Sequence, residues 1–141
     1  MIDDKMTRTE ALIAREEGFR TKPYRCTAGK LTIGFGWNLD AGITRAQALV
    51  IMRSQIDDIR EALKAKFPWF TGLTEARQAV LISMGFQMGL KGLFSFANTL
   101  KFIGAGQYDR AAQNMLASKW ARQTPARARR AAVMMQTGEF T

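Results

Sequence analysis

Apolar positions along the chain change period three times, and each change marks an element. Thr7-Arg8-Thr9-Glu10 has the Ser/Thr-x-x-Glu form of a capping box and is followed by Ala11, Leu12, Ile13 and Ala14. In that form a side-chain oxygen satisfies an orphan backbone N–H of the first helical turn. This pattern predicts a helix from Thr7 to Glu17, stopped by Gly18. From Phe19 to Gly36 the helical period disappears. Pro23, Gly29, Gly34 and Gly36 punctuate short runs holding Tyr24, Leu31, Thr32, Ile33 and Phe35. These runs read as a small β-hairpin region turning at Ala28-Gly29-Lys30.

A second capping box, Thr44-Arg45-Ala46-Gln47, opens a long helix in which Met52, Ile56, Ile59, Leu63 and Phe67 form one apolar stripe ended by Pro68. Within Thr74–Met88 the run from Ala79 to Phe86 is apolar almost all round, as a helix in the middle of a core is. Phe86 and Met88 are assigned to that core, with Gly89 as the C-cap. Shorter helical pieces are expected around Phe94–Phe102 and Tyr108–Ala117. A last helix starts at Thr124-Pro125, a cap followed by proline at the first helical position. The fold class expected is α+β and mainly helical. It has a β-rich lobe at about 19–43 and a helical lobe at about 68–141 that also takes in the N-terminal helix at about 7–17. The long helix joins the two lobes within a single domain spanning 1–141.

Composition narrows the chemistry. With 141 residues, 47% hydrophobic and 23% charged, the chain has room for one globular domain and too much apolar content for a disordered one. No run approaches the roughly 20 apolar residues that span a bilayer. The start, Met1-Ile2-Asp3-Asp4-Lys5, lacks the basic-then-apolar pattern of a secretory leader, so none is expected. Histidine is absent, which excludes Ser-His-Asp and Cys-His catalysis and histidine-ligated zinc. No metal or cofactor is expected. The single cysteine, Cys26, has no internal partner for a disulfide. Acid–base chemistry near neutral pH then falls to a carboxylate, a thiol or a lysine. A net charge of +9 points to an anionic partner. The run from Lys119 to Arg130 contributes Lys119, Arg122, Arg127, Arg129 and Arg130 with no acidic residue.

Three positions hold candidate chemistry. Glu16 and Glu17 close the first helix, where the negative end of the helix dipole disfavours the ionised carboxylate, and burial would raise the pKa further. The plain alternative is a pair of solvated charges. Cys26 is by itself a small apolar side chain, and Thr32 an ordinary strand residue. The combination is more specific than its parts. Glu17, eight residues, Cys26, five residues, Thr32 and then Ile33-Gly34-Phe35-Gly36 resembles the signature of the phage lysozymes, in which the second position is Asp or Cys. Phe86-Gln87-Met88-Gly89, Trp120, Gln123-Thr124-Pro125 and Arg127 resemble that family's C-terminal blocks in the same order.

The resemblance implies a lysozyme-like two-lobe fold and hydrolysis of the β-1,4 bond between N-acetylmuramic acid and N-acetylglucosamine in peptidoglycan. It implies that Glu17 is the general acid and that Thr32 helps hold the attacking water. It also implies that Arg127 pairs with Glu17, that Glu16 pairs with Arg130, and that Gln87 lines the cleft. Cys26 stands where T-even phage lysozymes carry Asp; base, nucleophile and packing roles all remain open for it. Trp37 stands where those proteins have histidine, and the segment from Trp37 to Thr44 is shorter, so a smaller β lobe and a more open cleft are expected. Family analogy further implies a monomer made in the host cytoplasm, released by a holin, and acting on periplasmic peptidoglycan in host lysis. The basic C-terminal face is expected to add attraction to anionic wall or membrane.

Two other readings compete. A lytic transglycosylase would need only the one acid, but a water-holding Thr32 is wasted if water is excluded. A basic nucleic-acid-binding protein would use the arginine-rich last helix. No specific nucleic acid is expected, because aromatic–basic interleaving and a helix-turn-helix pattern are both missing.

Overall fold

The computed structural model describes residues 5–141; residues 1–4, most of the Met1–Lys5 stretch on which the expectation about a leader rests, lie outside the described residues. Among the described residues, seven α-helices and a three-stranded sheet make a mainly helical α+β protein, as the apolar periods predict. The chain folds as two compact units, a first that ends at Leu49 and a second from Val50 to Thr141.

In the first unit, α1 (Arg8–Glu17) starts on the predicted box. Thr7 accepts from the Glu10 N–H at 3.1 Å, and Glu10 accepts from the Thr7 N–H at 2.6 Å. Gly18 caps its other end, donating to the Ala14 carbonyl. The sheet follows as β1 (Arg20–Arg25), β2 (Leu31–Gly34) and β3 (Trp37–Asn38), all antiparallel in that order. β1 lies at an edge, the place where Pro23, lacking a donor, is tolerated, and the register slips between Arg20 and Tyr24. The first turn falls where expected: Cys26 donates to the Lys30 carbonyl at 2.9 Å, and Gly29 donates to Cys26 at 2.8 Å. Thr32, on the central strand, faces Tyr24 on one side and Asn38 on the other, and only 4% of it is exposed. The short segment after β3 is closed by Asp40, whose carboxylate accepts from the Leu31 N–H at 3.2 Å.

Helix α2 (Arg45–Lys66) opens on the second predicted box, with Thr44 and Gln47 exchanging bonds of 2.8 and 3.1 Å. The boundary between the two units falls within its opening turns. Its apolar stripe is not uniformly buried: Ile59 and Leu63 are core, whereas Met52 is 41% exposed. The second unit continues with α3 (Glu75–Phe94), α4 (Ala97–Gly104), α5 (Tyr108–Leu116), α6 (Lys119–Gln123) and α7 (Pro125–Thr137). Leu63, Phe70, Leu81, Met84, Leu93, Ile103, Met115 and Met135 are sealed from solvent. Each such side chain contributes about 1.5–3 kcal/mol through burial.

Gly89 ends the first stretch of α3 as expected: it adopts φ 78°, ψ 163°, and a second helical stretch runs on to Phe94. Two expectations need correction. Phe86 is not core but 45% exposed. Ser83, Phe86 and Gln87, three and four residues apart, share one exposed stripe, so α3 has an outer face that its apolar composition hid. Thr124 precedes Pro125 as expected but makes no side-chain cap; its hydroxyl donates back to the Trp120 carbonyl at 2.9 Å. Helix α6 has no counterpart among the predicted elements. Its signal is Ser118, which accepts from the Ala121 N–H at 3.1 Å.

Candidate active site

Glu17 is the last residue of α1, and its carboxyl group lies against the β2–β3 turn. A Cβ built on Gly36 would stand 2.5 Å from Oε2 of Glu17. The end of the helix and the final glycine of Ile33-Gly34-Phe35-Gly36 are therefore in direct contact. Glu16, beside it, pairs with Arg15 at 3.4 Å on the surface.

Cys26 and Thr32 come together across the β1–β2 turn. Cys26 is half-buried, and backbone N–H groups in the turn face its sulfur. The pKa of the thiol is held below its ordinary value, first by the backbone bond from Lys30, then by that from Ala28. Desolvation opposes the shift, and the Thr32 hydroxyl adds to it. Thr32 Oγ1 also donates to the Lys30 carbonyl at 3.0 Å, which fixes the hydroxyl beside the thiol. Tight turns of this kind, with successive N–H groups aimed inward, favour an anion. A thiol, a hydroxyl and a carboxyl group are thus held on one small hairpin unit with its leading helix.

The second unit holds the other candidates. Gln87 Oε1 accepts from Trp120 Nε1 at 2.8 Å, a bond joining α3 to α6. Trp120 borders a cleft of about 400 Å³ lined by Phe96, Asn98, Asn114, Ser118 and Lys119. Arg127 donates to the Ser83 hydroxyl at 2.9 Å and to its carbonyl at 3.2 Å. Arg127 and Arg130 line one cleft of about 540 Å³ with Ser83, Met84 and Met134. Lys119, Arg122, Arg129 and Arg130 are all exposed. Among the described residues no cluster of His, Cys, Asp or Glu could hold a metal ion.

Sequence reasoning missed Asp40, whose carboxylate ties β2 to the segment after β3. Asn38, which accepts from the Asp40 N–H at 3.0 Å, was the available cue. Trp120 is legible in the sequence only as a family block. Its role as the partner of Gln87 needed the fold.

The phage lysozyme family model matches residues 14–132 of the chain. An endolysin of Acyrthosiphon pisum secondary endosymbiont phage 1 is 32% identical over 115 residues, 79% of this chain and 75% of that protein. The pre-baseplate central spike protein of Enterobacteria phage T4 is 26% identical over 158 residues, covering 92% of this chain but 28% of the spike protein. A Dictyostelium discoideum protein named "Probable T4-type lysozyme 2" is 24% identical over 157 residues, 90% of this chain and 92% of its own length. With its matched span running from α1 into α7, the chain belongs to the phage lysozyme family and is a lysozyme-type glycoside hydrolase whose substrate is peptidoglycan.

Proposed function

We propose that this enzyme is an N-acetylmuramidase that hydrolyses the β-1,4 bond between N-acetylmuramic acid and N-acetylglucosamine, and that it serves as a phage endolysin in host lysis. The observation that carries the reading is the hairpin unit itself, in which a carboxyl group, an anion-favouring thiol and a buried threonine hydroxyl sit on one compact scaffold. In this reaction Glu17 gives its proton to the leaving glycosidic oxygen. Water adds to the anomeric carbon as the C–O bond breaks. Cys26, as thiolate, takes the water's proton, and Thr32 orients that water. Beside the Glu17 acid, Cys26 and Thr32 together take the place of the second carboxylate that most glycosidases use.

Gln87, Glu16, Arg127 and Arg130 are assigned supporting roles. The Gln87–Trp120 pair beside a cleft rich in amide and hydroxyl groups suits a sugar with hydroxyl and N-acetyl substituents. Synthesis in the host cytoplasm and release to the wall through a holin-made lesion complete the endolysin reading.

Mass analysis of muropeptides from purified sacculi tests it. Wild type is expected to yield N-acetylmuramic acid at the reducing ends, and Glu17→Gln to yield almost no product. Reducing N-acetylglucosamine ends would refute the bond assignment, 1,6-anhydro ends would mean transglycosylation, and full activity of Glu17→Gln would remove Glu17 from the chemistry.

A further inference from the structure

Two glycines flank Phe35, both at positive φ. Gly34 has φ 67° and Gly36 has φ 77°, both in the region that L side chains rarely adopt. Their surroundings are different. A Cβ on Gly34 would meet nothing within 4 Å. A Cβ on Gly36 would lie 2.5 Å from Oε2, 3.0 Å from Cδ and 3.1 Å from Cβ of Glu17. All three contacts belong to one side chain.

We infer that Gly36 is a positioning residue for the reaction: its missing side chain leaves the slot that the Glu17 carboxyl group occupies, and the turn backbone forms the floor of that slot. This rests on the assignment of Glu17 as the general acid. A glutamate has three rotatable side-chain bonds, and at the end of a helix little else restricts them. A floor on one side removes the rotamers that would swing the carboxyl group away from the glycosidic oxygen. General acids act only within about 2.6–3.2 Å of the atom they protonate. Heavy atoms in contact prefer about 3.5 Å, so a methyl group at position 36 drives the carboxyl group back by about 1 Å. Misplacement on that scale costs about a hundredfold in rate.

The competing explanation is that position 36 is glycine for its backbone angle alone. Gly34→Ala supplies the control, since it too places a side chain at positive φ but without touching Glu17. Kinetics on soluble glycan-chain fragments and thermal melts should be measured for Gly34→Ala, Gly36→Ala and each of these in a Glu17→Ala background. Gly36→Ala is expected to lower kcat about a hundredfold at nearly constant KM, with Gly34→Ala within about threefold of wild type. In the melts, Gly36→Ala should lower Tm less in the Glu17→Ala background than in wild type, while Gly34→Ala lowers it equally in both. Equal kcat losses for the two glycine variants, or no coupling to Glu17 in the melts, would overturn the inference. If Gly36→Ala alone fails to fold, folding of Glu17→Ala/Gly36→Ala supports the slot, and failure of both overturns it. Activity retained by Glu17→Gln would instead remove the general-acid reading and leave the coupling result standing on its own.

Discussion

Cys26 shows how backbone geometry alters the chemistry of a side chain. Bonds from the turn, first Lys30 and then Ala28, favour its thiolate, as does the Thr32 hydroxyl. An ordinary thiol ionises near 8.5, so a lowered value leaves more thiolate at neutral pH. If that thiolate is the base, activity rises with pH through the lowered value. Cys26→Asp is expected to retain activity and to move this rising limb further toward acid, because a carboxyl group ionises near 3.9. Cys26→Ala should lose about 10²–10⁴-fold in kcat, the usual contribution of a general base. Unchanged kcat for the alanine variant would assign Cys26 to packing. The same shift has a stability sign. A depressed folded-state pKa contributes stability that is fully present above the unfolded value and is lost as pH falls through the folded one. The Tm difference between wild type and Cys26→Ala should therefore shrink as pH drops, and a constant difference would contradict it.

Among the elements, α3 has the most consequential irregularity. Gly89 interrupts it at φ 78°, ψ 163°, a region essentially closed to other residues. A Cβ there would meet nothing within 4 Å, so any penalty comes from the backbone alone. Gly89→Ala is expected to destabilise the fold by about 1–3 kcal/mol, measured by urea unfolding. A cost below about 0.5 kcal/mol would show that the break relaxes freely, as surface substitutions do. Gln87 sits just before this break, and its bond to Trp120 joins α3 to α6.

Taken as a whole, the molecule carries a net charge of +9, and Lys119, Arg122, Arg129 and Arg130 stand exposed on the second unit. An attraction of these charges to an anionic wall would be screened over about 8 Å at physiological salt and about 3 Å at 1 M. Arg122→Glu/Arg129→Glu should bind sacculi several-fold more weakly at low salt and indistinguishably from wild type near 1 M. Turnover of soluble fragments should be unaffected. Binding differences that persist at high salt would point to lost packing instead of lost charge. Each unit rests on its own support: hairpin pairing around Thr32 in the first, a sealed apolar cluster in the second.

Local rules were legible from residue order alone. Both capping boxes, the turn at Ala28-Gly29-Lys30 and the proline start of α7 depend on neighbours within four residues, and all of them formed. The spacing of Glu17, Cys26 and Thr32 was readable too, and with the distal blocks it pointed to the family. What surrounds those side chains was not, because it depends on how the folded backbone directs its groups in space. The lowered thiol pKa needs the turn folded so that its N–H groups converge on sulfur. The contact of Glu17 with Gly36 needs α1 laid against a turn nineteen positions further on. Phe86 fails as a core residue because exposure follows from which face of α3 the neighbouring helices cover, and composition records no face. Sequence by itself determined most of the elements, α6 excepted, and the candidate residues; only the tertiary structure decided what each candidate touches, since contact is a property of space and the local rules act along the chain.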